Sequence, residues 1–311
     1  MNTEHTYDIS YGKACVPVYR TYATPLVGVT PLPESPFTGR ENILFAAEID
    51  VEVFGKNFLP AYTHGDNRMV VATDTMKNFI LQQALTFNGS TLEGFLTLLG
   101  QQFLATYPIM KQLRLTGREL AFEPAQVPLA DHTHFGDSNV LFRRSHDDFS
   151  TATMDFVVDE GNPVMTSHRC GRVGLQLLKV TGSAFTNFVR DIYTTLPERV
   201  DRPLFIYLDI YWQYTNVAVM QERFIPGEQV RDVVQVVFHE FVSESIQHLV
   251  HEMGLRLLAR FPQMAEVSFD GQNRTRDPMG VSEIDPKQKV YSDPFPAYGM
   301  IKLTMTRDVK V

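Results

Sequence analysis

VRDVVQVVFHEF, residues Val230–Phe241, decides the fold. Its high content of β-branched valine argues for a strand. Its apolar residues, Val230, Val233, Val234, Val237, Phe238 and Phe241, fall at i, i+3, i+4, i+7, i+8 and i+11. That spacing lines one face of an α-helix, and the period decides for helix. The elements around it follow. Upstream lie a strand at Arg172 to Thr181 and LFIYLDIYWQY at Leu204–Tyr214, a strongly β-prone run, with Pro226-Gly227 in the loop between. Downstream, Ser243 is the expected cap of a second helix with Ile246, Leu249, Val250, Met253, Leu257 and Leu258 on its buried face. Strands at Ala265–Phe269 and Ala297–Thr306 complete a ββααββ order.

The first half has the same order. Strands are expected from Tyr7 to Val29 and from Asn42 to Lys56, where Ile49, Val51 and Val53 alternate with Asp50 and Glu52. Pro31, Pro33 and Pro36 make the loop between them. A short strand at Arg68–Ala72 runs into Thr73-Asp74-Thr75, which are helix N-cap types. Met76, Phe79, Ile80, Ala84 and Phe87 follow at helical spacing until Asn88-Gly89-Ser90. Leu92, Phe95, Leu96, Leu99 and Phe103 line a second helix that ends at Tyr107-Pro108, and strands follow at Gln112–Glu123 and Asn139–Phe156. The repeat, of element order rather than residue identity, predicts an α+β fold of two domains, 1–156 and 157–311. Each would carry an antiparallel sheet with paired helices on one face. The sheet edges need cover, which favours an oligomer that closes them into a barrel.

Composition narrows function. With 311 residues, 44% hydrophobic and 21% charged, the chain can bury a sizeable core. A net charge of −8 disfavours nucleic acid as the main partner. Two distant cysteines, Cys15 and Cys170, exclude a disulfide framework and a cysteine-rich zinc site. No apolar run is long enough for a membrane span, and neither a secretory leader nor a terminal S-K-L address is present, so the expected location is the cytoplasm. The histidines offer little. His239-Glu240 lacks the second histidine of H-E-x-x-H, His132 and His134 sit in a loop beside Asp131, and His248 and His251, at i, i+3 on a helix, lack the other ligands a metal would need. No phosphate-cradling loop or G-x-S-x-G is present.

TGSAFTNFVRDIYTTLPERVDR, Thr181–Arg202, cannot be one clean helix, because Tyr193-Thr194-Thr195 and then Pro197 interrupt it. Folded back, it can bring the aromatic face of Phe185 and the planar five-donor fork of Arg202 to one pocket, a pairing suited to a planar, anionic heterocycle. Isolated polar residues stand at other junctions: Lys13 after Gly12, Thr73-Asp74 at a helix start, Ile246-Gln247 in a first helical turn, and Asn273 in a turn.

In this order, YGKACV (Tyr11–Val16), VATDTMKN (Val71–Asn78), TTLPERVDR (Thr194–Arg202), SIQ (Ser245–Gln247) and QN (Gln272–Asn273) resemble the urate oxidase (uricase) family, in its bacterial type. The resemblance runs from Tyr11 to the final strand and implies tandem tunnelling-fold (T-fold) domains in a homotetramer with active sites at subunit interfaces. It implies oxidation of urate by dioxygen to 5-hydroxyisourate and hydrogen peroxide, with no cofactor and no metal. Phe185 would stack on the purine, Arg202 would hold its pyrimidine edge, and Gln247 with the Ile246 backbone would grip the opposite edge. Thr73 and the Asp74 backbone would arrive from a neighbouring subunit, Lys13 and Thr73 would relay protons, and Asn273 would hold dioxygen or water above the ring. One departure stands out. The family often places a histidine two positions after the asparagine, where this chain has Thr275, which passes a hydrogen bond but is no base near neutral pH. Arg274 and Arg276 flank it in place of an aromatic-rich turn. The competing expectations are a catalytically altered purine-binding T-fold oligomer and a metal-dependent T-fold enzyme acting on a pterin or purine.

Overall fold

Helical and strand periodicities resolve into two units, each with paired helices covering a sheet. The computed structural model describes residues 5–130, 133–144, 148–274, 278–292 and 296–307. One unit comprises residues 1–29 and 38–170, the other 30–37 and 171–311. The division falls at Cys170–Gly171, inside a strand, and not at 156–157.

Unit 1 contains β1 (Ser10–Thr21), β2 (Leu44–Phe54), α1 (Leu59–His64), α2 (Thr73–Thr86), α3 (Leu92–Thr106), β3 (Gln112–Glu119), β4 (Phe122–Pro128), β5 (Phe135–Arg144), β6 (Phe149–Asp159) and the first half of β7 (Asn162–Lys179). The strand order is β1-β2-β3-β6-β7, with β4 and β5 forming a separate ribbon. Register is antiparallel from β1 to β2, β2 to β3 and β3 to β6. Ile49, Val51, Val53, Leu113, Leu115, Met154 and Phe156 are buried, as are Met76 and Ile80 of α2 and Phe95, Leu96, Leu99 and Phe103 of α3. Each such side chain contributes about 1.5–3 kcal/mol.

Unit 2 contains the rest of β7, then β8 (Leu204–Tyr214), α4 (Val217–Glu222), α5 (Gly227–Glu240), α6 (Ile246–Arg260), β9 (Met264–Asn273), β10 (Pro278–Val281), β11 (Lys289–Tyr291) and β12 (Gly299–Thr306). The sheet runs β7-β8-β9-β12, and β10 pairs with β11 alone. Strand β8 alternates buried and part-exposed residues along most of its length, with Leu204, Ile206, Leu208, Ile210 and Trp212 inward. The deciding stretch is helical: Val230, Val233, Val234 and Val237 of α5 are buried. Residues 30–37 dock here too. Gln229 donates to the Thr30 and Phe37 carbonyls at 2.8 and 3.0 Å, and Arg256 and Arg260 converge on Glu34.

The duplication extends to small devices. Arg20 donates to the Ala84 and Phe87 carbonyls where α2 ends, and Lys179 donates to the Phe238, His239 and Phe241 carbonyls where α5 ends. Leu26 bridges Arg40 in unit 1, and Phe185 bridges Arg199 at the same spacing in unit 2. Thr91 caps α3 through its hydroxyl, as Ser245 caps α6.

Several expectations change. Arg68–Ala72 is not a strand, since it has no partner to complete a ladder. Ala72, not Thr73, occupies the N-cap position of α2; Thr73 is the first helical residue, and no side chain caps that helix. Ser243 does not cap α6, because it is fully buried and pairs with Ser183 in a parallel bridge. The expected strands at Gln112–Glu123 and Asn139–Phe156 each break in two, yielding the β4–β5 ribbon. Among the described residues no helix is long and apolar enough to cross a membrane.

Candidate active site

The Thr181–Arg202 segment contains no helix and closes on itself. Phe185 and Arg199 exchange backbone hydrogen bonds of 2.7 and 3.0 Å, and the Arg202 N–H donates to the Ser183 carbonyl at 2.8 Å. Asp201 ties the other end, accepting from the Thr181 hydroxyl and the Gly182 N–H, both at 2.7 Å. Those bonds, the Thr181 hydroxyl foremost, hold the Asp201 carboxyl below its usual range. The closure brings the Arg202 guanidinium carbon to 5.2 Å from the Phe185 ring centroid. Phe188, which the sequence reading passed over, stacks on Phe185 at 4.9 Å with the rings 11° apart.

The same segment is anchored beside α6. Ser183 bridges Ser243, and the Ala184 N–H donates to the Ser243 carbonyl at 2.8 Å. Ser245 then starts the helix by accepting the His248 N–H at 3.1 Å, leaving Ile246 and Gln247 as its first two residues. Ile246 is buried and Gln247 exposed. A first helical turn presents N–H groups with no intrahelical acceptor and the positive end of the dipole. Asn273 ends β9, facing Ile206 in β8 and Gly299 in β12. The next residue, Arg274, lies 4.8 Å from the Tyr207 ring and 4.2 Å from the Tyr298 ring, and grips Gln272 through Nε and Nη2. Thr275, Arg276 and His132 lie outside the described residues.

Lys13, Thr73 and Asp74 belong to unit 1. Lys13 is half-buried on β1, and Thr73 is half-buried at the start of α2, its hydroxyl not spent on capping. Asp74 binds Lys77 at 2.5 Å, and its carboxyl is held down by Lys77 first, then by Asn78 and the nearby charge of Lys13. Tyr11 secures the approach to α2, its hydroxyl accepting the Val71 N–H at 3.0 Å.

Unit 1 has its own counterparts to the unit 2 cluster, and they are closed. Leu26, matching Phe185, is buried; Glu93, the second residue of α3 as Gln247 is of α6, is buried against Cys170. Burial pushes the Glu93 carboxyl up to about 8, and burial with Glu93 beside it pushes the Cys170 thiol up. Among the described residues no three His, Cys, Asp or Glu side chains are grouped to hold a metal ion.

These features define an α+β protein of two similarly ordered units, one presenting an aromatic–arginine pair beside a helix start, the other a half-buried lysine on its first strand and a half-buried threonine at a helix start. The family described as Uricase matches residues 168–302. Uricase of Haloferax volcanii is 45% identical over 307 residues, covering 96% of this chain and 98% of that protein. The uric acid degradation bifunctional protein PucL of Bacillus subtilis is 44% identical, covering 98% of this chain but 62% of the relative, so this chain spans somewhat less than two thirds of that protein. The crystal structure of Bacillus sp. TB-90 urate oxidase superposes with a TM-score of 0.92 at 41% identity, covering 96% of this chain and 100% of that one. The chain belongs to the uricase family.

Proposed function

We propose that this protein oxidises urate with dioxygen to 5-hydroxyisourate and hydrogen peroxide, in the cytoplasm, without a metal or organic cofactor. The observation that carries the reading is the approach of Arg202 to Phe185 beside the first turn of α6, in a chain of the uricase family. Phe185, backed by Phe188, stacks on the purine. Arg202 holds the pyrimidine edge by two charge-assisted hydrogen bonds, and Gln247 with the Ile246 N–H holds the opposite edge. Asn273 keeps dioxygen or water above the ring.

Two electrons pass from urate to dioxygen, two protons join them to make peroxide, and water adds its elements to the oxidised ring. The protein's work is to bind the urate anion, orient it and move protons. Lys13 and Thr73 form the relay, with Thr275 at the position where the family often has histidine; a water between them completes the path. The two units are T-fold domains. Four copies assemble with their sheets closed into a barrel, and each site takes Thr73 and Asp74 from a neighbouring copy.

The test is urate absorbance and oxygen consumption by chelator-treated full-length protein. Equimolar loss of both, with peroxide formed, is the expected result. Urate binding without oxygen uptake would overturn the catalytic reading.

A further inference from the structure

We infer that Asp50 is a positioning residue for Lys13: it clasps a β-bulge at Ala14–Cys15 that turns Lys13 onto the helix-covered face of the unit 1 sheet. The inference rests on the relay role proposed for Lys13 and adds what places that side chain.

The register shows the device. Lys13 sits opposite Val51 and Val16 opposite Ile49, so Ala14 and Cys15 together face Asp50. Directly opposed residues of antiparallel strands share a face. Val16, Ile49 and Val51 are all buried on the side covered by helices. Under unbroken alternation Val16 would place Ala14 on that side and Lys13 on the other. The extra residue reverses this, so Lys13 joins Val51, and Tyr11 joins Val53. The Tyr11 contacts agree: its hydroxyl meets the Val71 N–H just before α2, and its ring lies edge-on to fully buried Phe58 at 4.9 Å. The influence of Lys13 on Asp74, in the first turn of α2, fits the same orientation.

The bulge needs support. Cys15 has φ 57°, a left-handed conformation that costs a residue with a Cβ roughly 1–2 kcal/mol. Its N–H donates to Asp50 Oδ1 at 2.6 Å, a charge-assisted bond that offsets this cost. Unit 2 has the same clasp, with the Gly174 N–H donating to Asp209 Oδ1 at 2.7 Å. There φ is 80° and the residue is glycine, for which the conformation carries no penalty. Next to Lys13, a Cβ on Gly12 would lie 1.8 Å from the Val51 carbonyl oxygen, so β1 approaches β2 too closely for any side chain at that point. Two left-handed residues with aspartate-bound N–H groups, each 35 positions before its aspartate, one strained and one relaxed, mark Asp50 as part of the placement of Lys13.

The experiment is steady-state urate turnover against pH for the full-length protein carrying Asp50→Ala, Asp50→Asn, or Asp50→Ala with Cys15→Gly. Asp50→Ala is expected to lower kcat at least about tenfold and shift its pH profile, with KM within about threefold. Asp50→Asn keeps an acceptor and stays much closer to wild type. Cys15→Gly in the Asp50→Ala background restores most of kcat, because glycine holds the left-handed conformation unaided. Wild-type kcat and pH profile in Asp50→Ala would overturn the proposal, and so would a loss that Cys15→Gly leaves unrepaired. Lys13→Met run in parallel separates the failures. Intact turnover there removes the relay role and the positioning role with it, whereas an inactive Lys13→Met beside a fully active Asp50→Ala removes only the positioning role.

Discussion

Replacing Glu93 by glutamine should raise stability at alkaline pH and flatten the dependence of stability on pH. Glu93 is 5% exposed and lies against fully buried Cys170. Burial is the main cause that lifts its carboxyl from 4.5 to about 8; the charge of Glu119 acts in the same direction, and Cys170 and Arg40 oppose it. The sign follows from proton counting. Unfolded chains release this proton near 4.5, whereas the native protein keeps it until about 8. Between those values the native state binds more protons, so its stability falls as pH rises. The stabilisation is complete below the unfolded value and gone above the folded one. The full difference corresponds to at most roughly 5 kcal/mol. Glutamine keeps the shape and a polar contact with Cys170 but does not ionise. Gln247, at the matching position of α6, shows that the amide suits a first helical turn. The assay is thermal unfolding between about pH 5 and pH 9. Wild type should lose several degrees of Tm across that range, and Glu93→Gln should lose clearly less. Parallel curves for the two proteins would refute the reasoning.

Arg202→Ala should raise KM for urate about 100-fold, as expected for losing two charge-assisted hydrogen bonds, with a smaller effect on kcat at saturation. Lys13→Met should do the reverse, lowering kcat by about 10²-fold or more while KM stays within a few-fold, as read from initial rates of urate loss. Glu34→Gln should cost about 1–3 kcal/mol, because the nearly buried carboxylate holds both Arg256 and Arg260. Hydrogen bonds from Arg260 hold the Glu34 carboxyl below 4.5, so its stabilisation is present above that value and is lost as pH falls through the lower native one. The Tm difference between wild type and Glu34→Gln should therefore shrink on acidification, and a constant difference would count against the assignment.

The helix pairs were legible because their signal is local. Val230–Phe241 announces a buried stripe whatever lies above it, and the structure agrees despite the valines. Local types misled where two segments competed for one role. Ser243 and Ser245 are equally good caps by type, and the choice was made by Ser183, which pairs with Ser243 and buries it. Arg68–Ala72 carries strand-forming residues but no neighbouring strand takes it up, and propensity without pairing makes no strand.

For the candidate site, residue types and their order along the chain were readable, as was the fact that Thr181–Arg202 cannot be a helix. That Phe185 and Arg202 could reach one pocket was readable too, but the contacts that close the segment were not, because they depend on the bridge between Phe185 and Arg199 and on the hold of Ser243. Nor was the face that Lys13 takes. By itself, then, the sequence determined the buried stripe of each helix and the broad ββααββ order, which rest on neighbours a few residues apart, and the family resemblance, which rests on short motifs in a fixed order. Tertiary structure alone decided which side chains meet. Register is set by partners far along the chain, and one extra residue in β1 moves Lys13 from one face of the sheet to the other.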